Sequence, residues 1–126
     1  MQGVTFDTGA LVAFERGDKR IRAVVKGARA RSIEVVVPAV VLAEWWREGF
    51  GPRHEDLLRP LRVEPTTGRV AKLAGVALTR IRVSPVDAIV MASAAQRGDI
   101  VYTSNVPDLQ ALQAHFPGVR VLSATG

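Results

Sequence analysis

The chain has 126 residues, 48% of them hydrophobic and 23% charged, with no cysteine and a formal net charge of +5. That length makes one ordinary domain with room for a real core, and the composition is that of a globular chain rather than a disordered one. The missing cysteine excludes disulfide scaffolds, thiolate zinc sites and cysteine nucleophiles, while a basic balance dominated by arginine suits an anionic partner such as nucleic acid and equally a solubilising surface.

No apolar run reaches the roughly 18 residues a membrane span needs, and the first ten residues carry Asp7 and no basic leader. The expectation is one soluble cytoplasmic domain over residues 1–126, with no membrane contact.

In chain order, Val4 to Phe6 reads as a short strand running through Asp7 and Thr8 into a helix marked by Ala10, Leu11, Ala13 and Phe14. Residues Asp18 to Ala30 place Ile21, Val24, Val25 and Ala28 on one helical face, opposite a basic run that reads as a solvated surface, with an RNA-binding stripe as its alternative. Ile33 to Val37 is an apolar strand with one charge, Glu34, of the kind buried on both faces in a parallel sheet. Pro38 suits the first turn of a helix through Glu44, Trp45 and Trp46 to Gly49, closed by Gly51 and Pro52. A short helix at Asp56 to Leu58 and a short strand at Arg62 to Glu64 follow. Thr66 or Thr67 caps a helix lined by Val70, Leu73, Ala74 and Ala77. Ser84 and Pro85 open another, carrying Asp87 to Gln96 and stopped by Gly98. Ile100 to Thr103 is a strand, Pro107 to His115 a helix and Val119 to Leu122 a last strand. Strands alternating with helices predict an α/β fold, a three-layer α/β/α sandwich around a mostly parallel central sheet. In such sheets a ligand sits beyond the carboxyl ends of strands, where Asp7, Ser104 and Asn105 fall.

Asp7, Glu44 and Asp87 are each an isolated acid within an apolar element. Each also has a structural explanation: Asp7 as a helix cap, Asp87 as a first-turn acid after Ser84, and Glu44, the least readily explained, as one half of a buried ion pair. Together they point to convergence on one cation. Two carboxylates about 5 Å apart repel by roughly 3 kcal/mol at an effective dielectric near 20, so a cluster needs compensating charge. Oxygen donors without Cys or His select magnesium or manganese, and the chemistry such a site supports is phosphodiester hydrolysis.

The strings VTFDTGALVA, VPAVVLAEWWR and SPVDAIVMASAAQRGDIVYTSNVPDL occur in the order and spacing of the PIN-domain ribonucleases, and more narrowly the chain resembles the VapC toxins. The resemblance implies a PIN-like fold, a homodimer, and a catalytic set of Asp7, Glu44, Asp87 and Asn105 that binds Mg2+, with Mn2+ as a substitute. It further implies a tRNA or other structured RNA substrate and a cognate antitoxin protein that wraps the toxin. Asn105 stands where family members usually carry Asp; it keeps an oxygen donor and drops one charge. Asp108 is a candidate substitute ligand, with a first-turn helix acid as its alternative reading. Thr8 and Ser104 are the hydroxyls best placed to orient water or phosphate, Thr103 simply ends its strand, and His54 and His115 are surface residues. Arg16, Arg47 and Arg53 are unranked candidates for RNA contact, and Trp45, Trp46 and Phe50 are candidates for the antitoxin groove. Two rival readings stand beside this one: a PIN fold that binds RNA or protein after losing catalysis through Asn105, and an aspartic protease, since Asp7, Thr8 and Gly9 spell that signature too.

Overall fold

The computed structural model describes residues 2–125. Five strands, β1 (Val4–Phe6), β2 (Val35–Pro38), β3 (Arg62–Glu64), β4 (Ile100–Thr103) and β5 (Arg120–Ser123), form one sheet in the order β3-β2-β1-β4-β5. Every pairing is parallel, so the sheet is wholly rather than mostly parallel. Seven helices connect the strands among the described residues: α1 (Thr8–Glu15), α2 (Lys19–Ala30), α3 (Ala39–Glu48), α4 (Pro52–Leu58), α5 (Gly68–Leu78), α6 (Pro85–Arg97) and α7 (Val106–Leu112). The chain moves outward from β1 to β2 and β3, then crosses back to β4 and on to β5. Right-handed crossovers in opposite directions put α1 to α4 on one face and α5 to α7 on the other. Order reverses between β1 and β4, the switch point where parallel sheets open a crevice at their carboxyl ends.

Strands β1 and β2 are buried along their whole length, which is why β2 reads as an apolar run and β1 is apolar but for Thr5, whose hydroxyl bonds Asp99. The core continues through Leu11, Ile21, Val41 and Trp45 on one face and Ala88, Val90, Met91 and Leu109 on the other. Asp18, Thr67 and Ser84 accept backbone N–H groups at the starts of α2, α5 and α6, and Gly98 ends α6 in the left-handed region at φ 70°.

Several boundaries differ from the sequence reading: β2 begins at Val35 rather than Ile33, α4 at Pro52 rather than Asp56, and β5 spans Arg120–Ser123 rather than Val119 to Leu122. Pro38 ends β2 instead of entering the helix, because a last strand position tolerates a residue with no N–H to give. Pro52 opens α4 rather than closing α3, as its fixed φ suits a first turn. The last helix begins at Val106 and ends at Leu112.

Candidate functional site

Asp7 follows β1 and caps α1, with Oδ1 accepting the Ala10 N–H at 2.9 Å. Its other oxygen accepts the Thr103 hydroxyl at the end of β4, and Thr103 Oγ1 in turn accepts the Asn105 N–H at 2.8 Å. Thr103 is therefore not a mere strand end: it ties Asp7 to Asn105 across the switch point. A hydroxyl buried at the carboxyl end of an otherwise apolar strand was the signal for it. Asp87, in the first turn of α6, accepts from Asn105 Nδ2 at 3.2 Å, and Asp108 accepts from the same nitrogen at 2.9 Å. Carboxylates only accept, so the amide end between them is the NH2 group. Glu44, at mid-α3, accepts the Thr8 hydroxyl at 2.5 Å.

The site thus brings Asp7, Asp87, Asn105 and Asp108 together, with Glu44 joining from the other face through its charge on Asp87. No basic side chain is ion-paired with any of these four acids among the described residues. Burial raises the Asp7 carboxyl to about 6 against the opposing bonds from Thr103 and Ala10, and the charge of Asp87 adds to the rise. Asp87 is raised as well, chiefly by burial, with Asp108 and Glu44 contributing repulsion. Two carboxylates held above their usual range, without a cation partner, describe a site short of positive charge.

The donor set is all oxygen and fits a hard divalent ion. Among the described residues, however, no three acid or histidine side chains converge into a ready ligand shell. The expected convergence is accordingly looser than a closed cage, with the Asn105 amide lying between Asp87 and Asp108 and bridging both.

Gly9 brings α1 against the β4 end. A Cβ there would lie 1.8 Å from Ser104 Oγ and 2.4 Å from Ser104 Cβ. Beside this contact a cleft of about 450 Å3 opens between α1 and α3, lined by Thr8, Arg16, Glu44, Arg47 and Ser104. Arg53 lies elsewhere, its guanidinium donating to the Glu15 carbonyl at 2.8 Å. His54 is not a surface residue: it packs 4.4 Å from the Trp45 ring, with Nε2 3.5 Å from Glu15. Trp45 belongs to the core, whereas Phe50 is exposed and stacks on Trp46.

At the opposite end of the sheet the sequence reading missed a buried network. Asp99 accepts from Thr5 at 2.8 Å and from Arg97 at 2.9 Å, and Arg97 also reaches Ser93. Every polar partner there is satisfied, so this end stabilises the fold.

The protease reading fails on the fold: Thr8 and Gly9 are helical and the sheet is parallel throughout. No helix is long and apolar enough to cross a membrane among the described residues.

No curated protein sequence matches the chain. Its fold is similar to that of DNA-bound VapBC from Salmonella typhimurium, with a TM-score of 0.73 at 18% identity over 98% of this chain and 99% of that one. VapBC2 from Rickettsia felis, bound to a DNA fragment from its promoter, gives 0.72 at 13% identity over 95% and 97%. VapC20 from Mycobacterium tuberculosis, a toxin that cleaves the sarcin-ricin loop, gives 0.60 at 23% identity over 94% and 99%. The sequence profile of the PIN domain matches residues 4–106, spanning β1 to β4 and every acid of the site but Asp108. The chain belongs to the PIN domain family.

Proposed function

We propose that this PIN domain is a magnesium-dependent endoribonuclease that acts as the toxin of a toxin–antitoxin pair. The observation that carries the proposal is the gathering of Asp7, Asp87, Asn105 and Asp108 at the switch point, facing Glu44, with no basic side chain to balance them. Asp7, Glu44 and Asp87 would hold the ion, assisted by Asn105 and Asp108, and manganese would substitute. Bound there, a divalent cation supplies an acidified water and positive charge against the scissile phosphate. The chain's own residues prepare the place. Thr103 fixes the direction of the Asp7 carboxylate, Thr8 fixes that of Glu44, and Ser104 presents an exposed hydroxyl at the cleft mouth. Arg16 and Arg47 line the cleft and meet RNA phosphates, while Arg53, turned to Glu15, does not.

The similarity to VapBC complexes supports an antitoxin partner. A groove of about 410 Å3 between α3 and α4, floored by Leu42, Trp46 and Leu58 beside the exposed Phe50, is where it would dock. The active form is a homodimer. Failure to bind the product of an adjacent reading frame would count against the toxin role.

The nuclease is tested by incubating a tRNA and structured-RNA panel with magnesium or manganese, with EDTA and the Asp87→Asn variant as controls. Cleavage that both controls abolish is expected; cleavage indifferent to either overturns the reading. A second reading is favoured by the Asn105 amide itself, which bridges Asp87 and Asp108 as a cation otherwise would. On that reading the chain binds RNA or protein without cutting, and activity appears only in Asn105→Asp.

A further inference from the structure

We propose that the exposed flank of α2 is a binding surface for the phosphate backbone of RNA, separate from the acidic site. Between Asp18 and Arg31 lie six basic side chains and one acid, which gives this segment the whole +5 of the chain; the remaining residues carry eleven basic and eleven acidic side chains. All six basic residues are exposed, and among the described residues none takes part in an ion pair. The segment's single acid, Asp18, is engaged as the helix cap through Ile21 N–H. Nearby Glu15 is held by Trp45, Arg53 and His54.

An ordinary solvated helix balances its charges at i+3 and i+4. Here Lys19, Arg22, Lys26 and Arg29 recur at those spacings with like charge, beside the face that buries Ile21 and Val25. Lys19 and Arg20 also open the helix, at the positive end of its dipole, where the capping Asp18 is the one acid against two cations. The like charges along the flank repel in the isolated chain, Asp18 offsetting only the first turn and the Phe14 ring facing Arg22 alone, and a polyanion laid along the flank relieves that repulsion. The stripe is about 15 Å long at the rise of an α-helix. Arg22, Lys26 and Arg29 rim a shallow pocket of about 360 Å3 whose floor is Phe14, Val25 and Pro60. Guanidinium groups grip phosphate bidentately, and an apolar floor between cations suits a nucleotide. The eight-residue α1 joins the site to α2, a span of about 12 Å that one RNA strand can bridge. Arg16, in the cleft at the end of α1, stands along that path.

The choice of RNA rests on the nuclease reading above. The test measures anisotropy of a labelled 20-nucleotide RNA with full-length Asp87→Asn protein across a salt series, in EDTA. It compares that protein with the same chain carrying Arg22→Gln, Lys26→Gln and Arg29→Gln, and with a control that removes equal charge through Arg69→Gln, Lys72→Gln and Arg80→Gln. The expected result is at least a roughly 10-fold loss of affinity at low salt and a salt slope smaller by about 2 for the α2 variant alone, as three released contacts to a single strand require. Its melting temperature should hold or rise as repulsion is removed. Equal losses in both triple variants, or none in either, overturn the proposal. So does tighter binding of polyglutamate than of RNA, which would reassign the flank to an acidic protein. Cleavage of a short RNA that occupies the acidic site alone separates the two claims. If the natural chain cuts it but the α2 variant binds long RNA normally, the flank fails and the nuclease stands. If nothing is cut while binding still depends on α2, the nuclease fails and the flank stands.

Discussion

Asp7 gives both carboxylate oxygens to the protein, one to the Ala10 N–H and one to the Thr103 hydroxyl, and still keeps its carboxyl near 6. The cap reading and the ligand reading of this residue are therefore both true, since a cap leaves lone pairs free. An acid whose pKa is higher folded than unfolded holds its proton more tightly in the fold. The stability it contributes is present below its ordinary value of 3.8 and lost as pH rises through about 6. In EDTA, the natural chain should lose up to about 3 kcal/mol of stability across that window, and Asp7→Asn should lose less. Denaturant melts at pH 4 and pH 7.5 check the difference, and an equal pH response in both proteins would refute it. Asn105 makes a second prediction. Its NH2 group pacifies Asp87 and Asp108, so Asn105→Asp places a third carboxylate where a donor stood. Without metal the variant should melt a few degrees lower, and magnesium should raise its melting temperature more than that of the natural chain. Thermal melts with and without magnesium read both signs. The departure at Asn105 could be read from the sequence; the bridge it makes could not, because it depends on where α6 and α7 meet.

At the scale of elements, the alternation of apolar runs and helical patterns carried the three-layer fold, and burial on both faces explains why β1 and β2 were so plain. Boundaries at proline were harder, because a fixed φ suits a strand end and a helix start alike, and only packing separates Pro38 from Pro52. The approach of α1 to β4 was invisible in sequence, since a glycine inside a helix announces no partner. Gly9→Ala forces its Cβ into Ser104 and should cost about 1–3 kcal/mol by overpacking. Adding Ser104→Gly should recover part of that loss but not all, because the Ser104 backbone nitrogen is still 3.1 Å away. A thermodynamic cycle over the two sites checks it; additive losses would mean that α1 does not meet the end of β4 as described.

Across the whole molecule the two ends of the sheet divide the work. The Asp99 and Arg97 network at one end is fully paired and stabilises, whereas the acids at the other are short of positive charge. Position along the chain already placed Asp7 and Asn105 at one end, because parallel strands expose their carboxyl ends together. Glu44 and Asp87 came to that end through helices whose docking the sequence does not encode locally. The proposed nuclease stands on a divalent cation held at this end of the sheet. Its most direct test is calorimetric titration of magnesium into the natural chain, into Asp87→Asn, and into Asp99→Asn as a control for general destabilisation. Saturable binding to the natural chain and to Asp99→Asn, lost in Asp87→Asn, is expected. Binding that survives in Asp87→Asn, or none in any of the three, would contradict it.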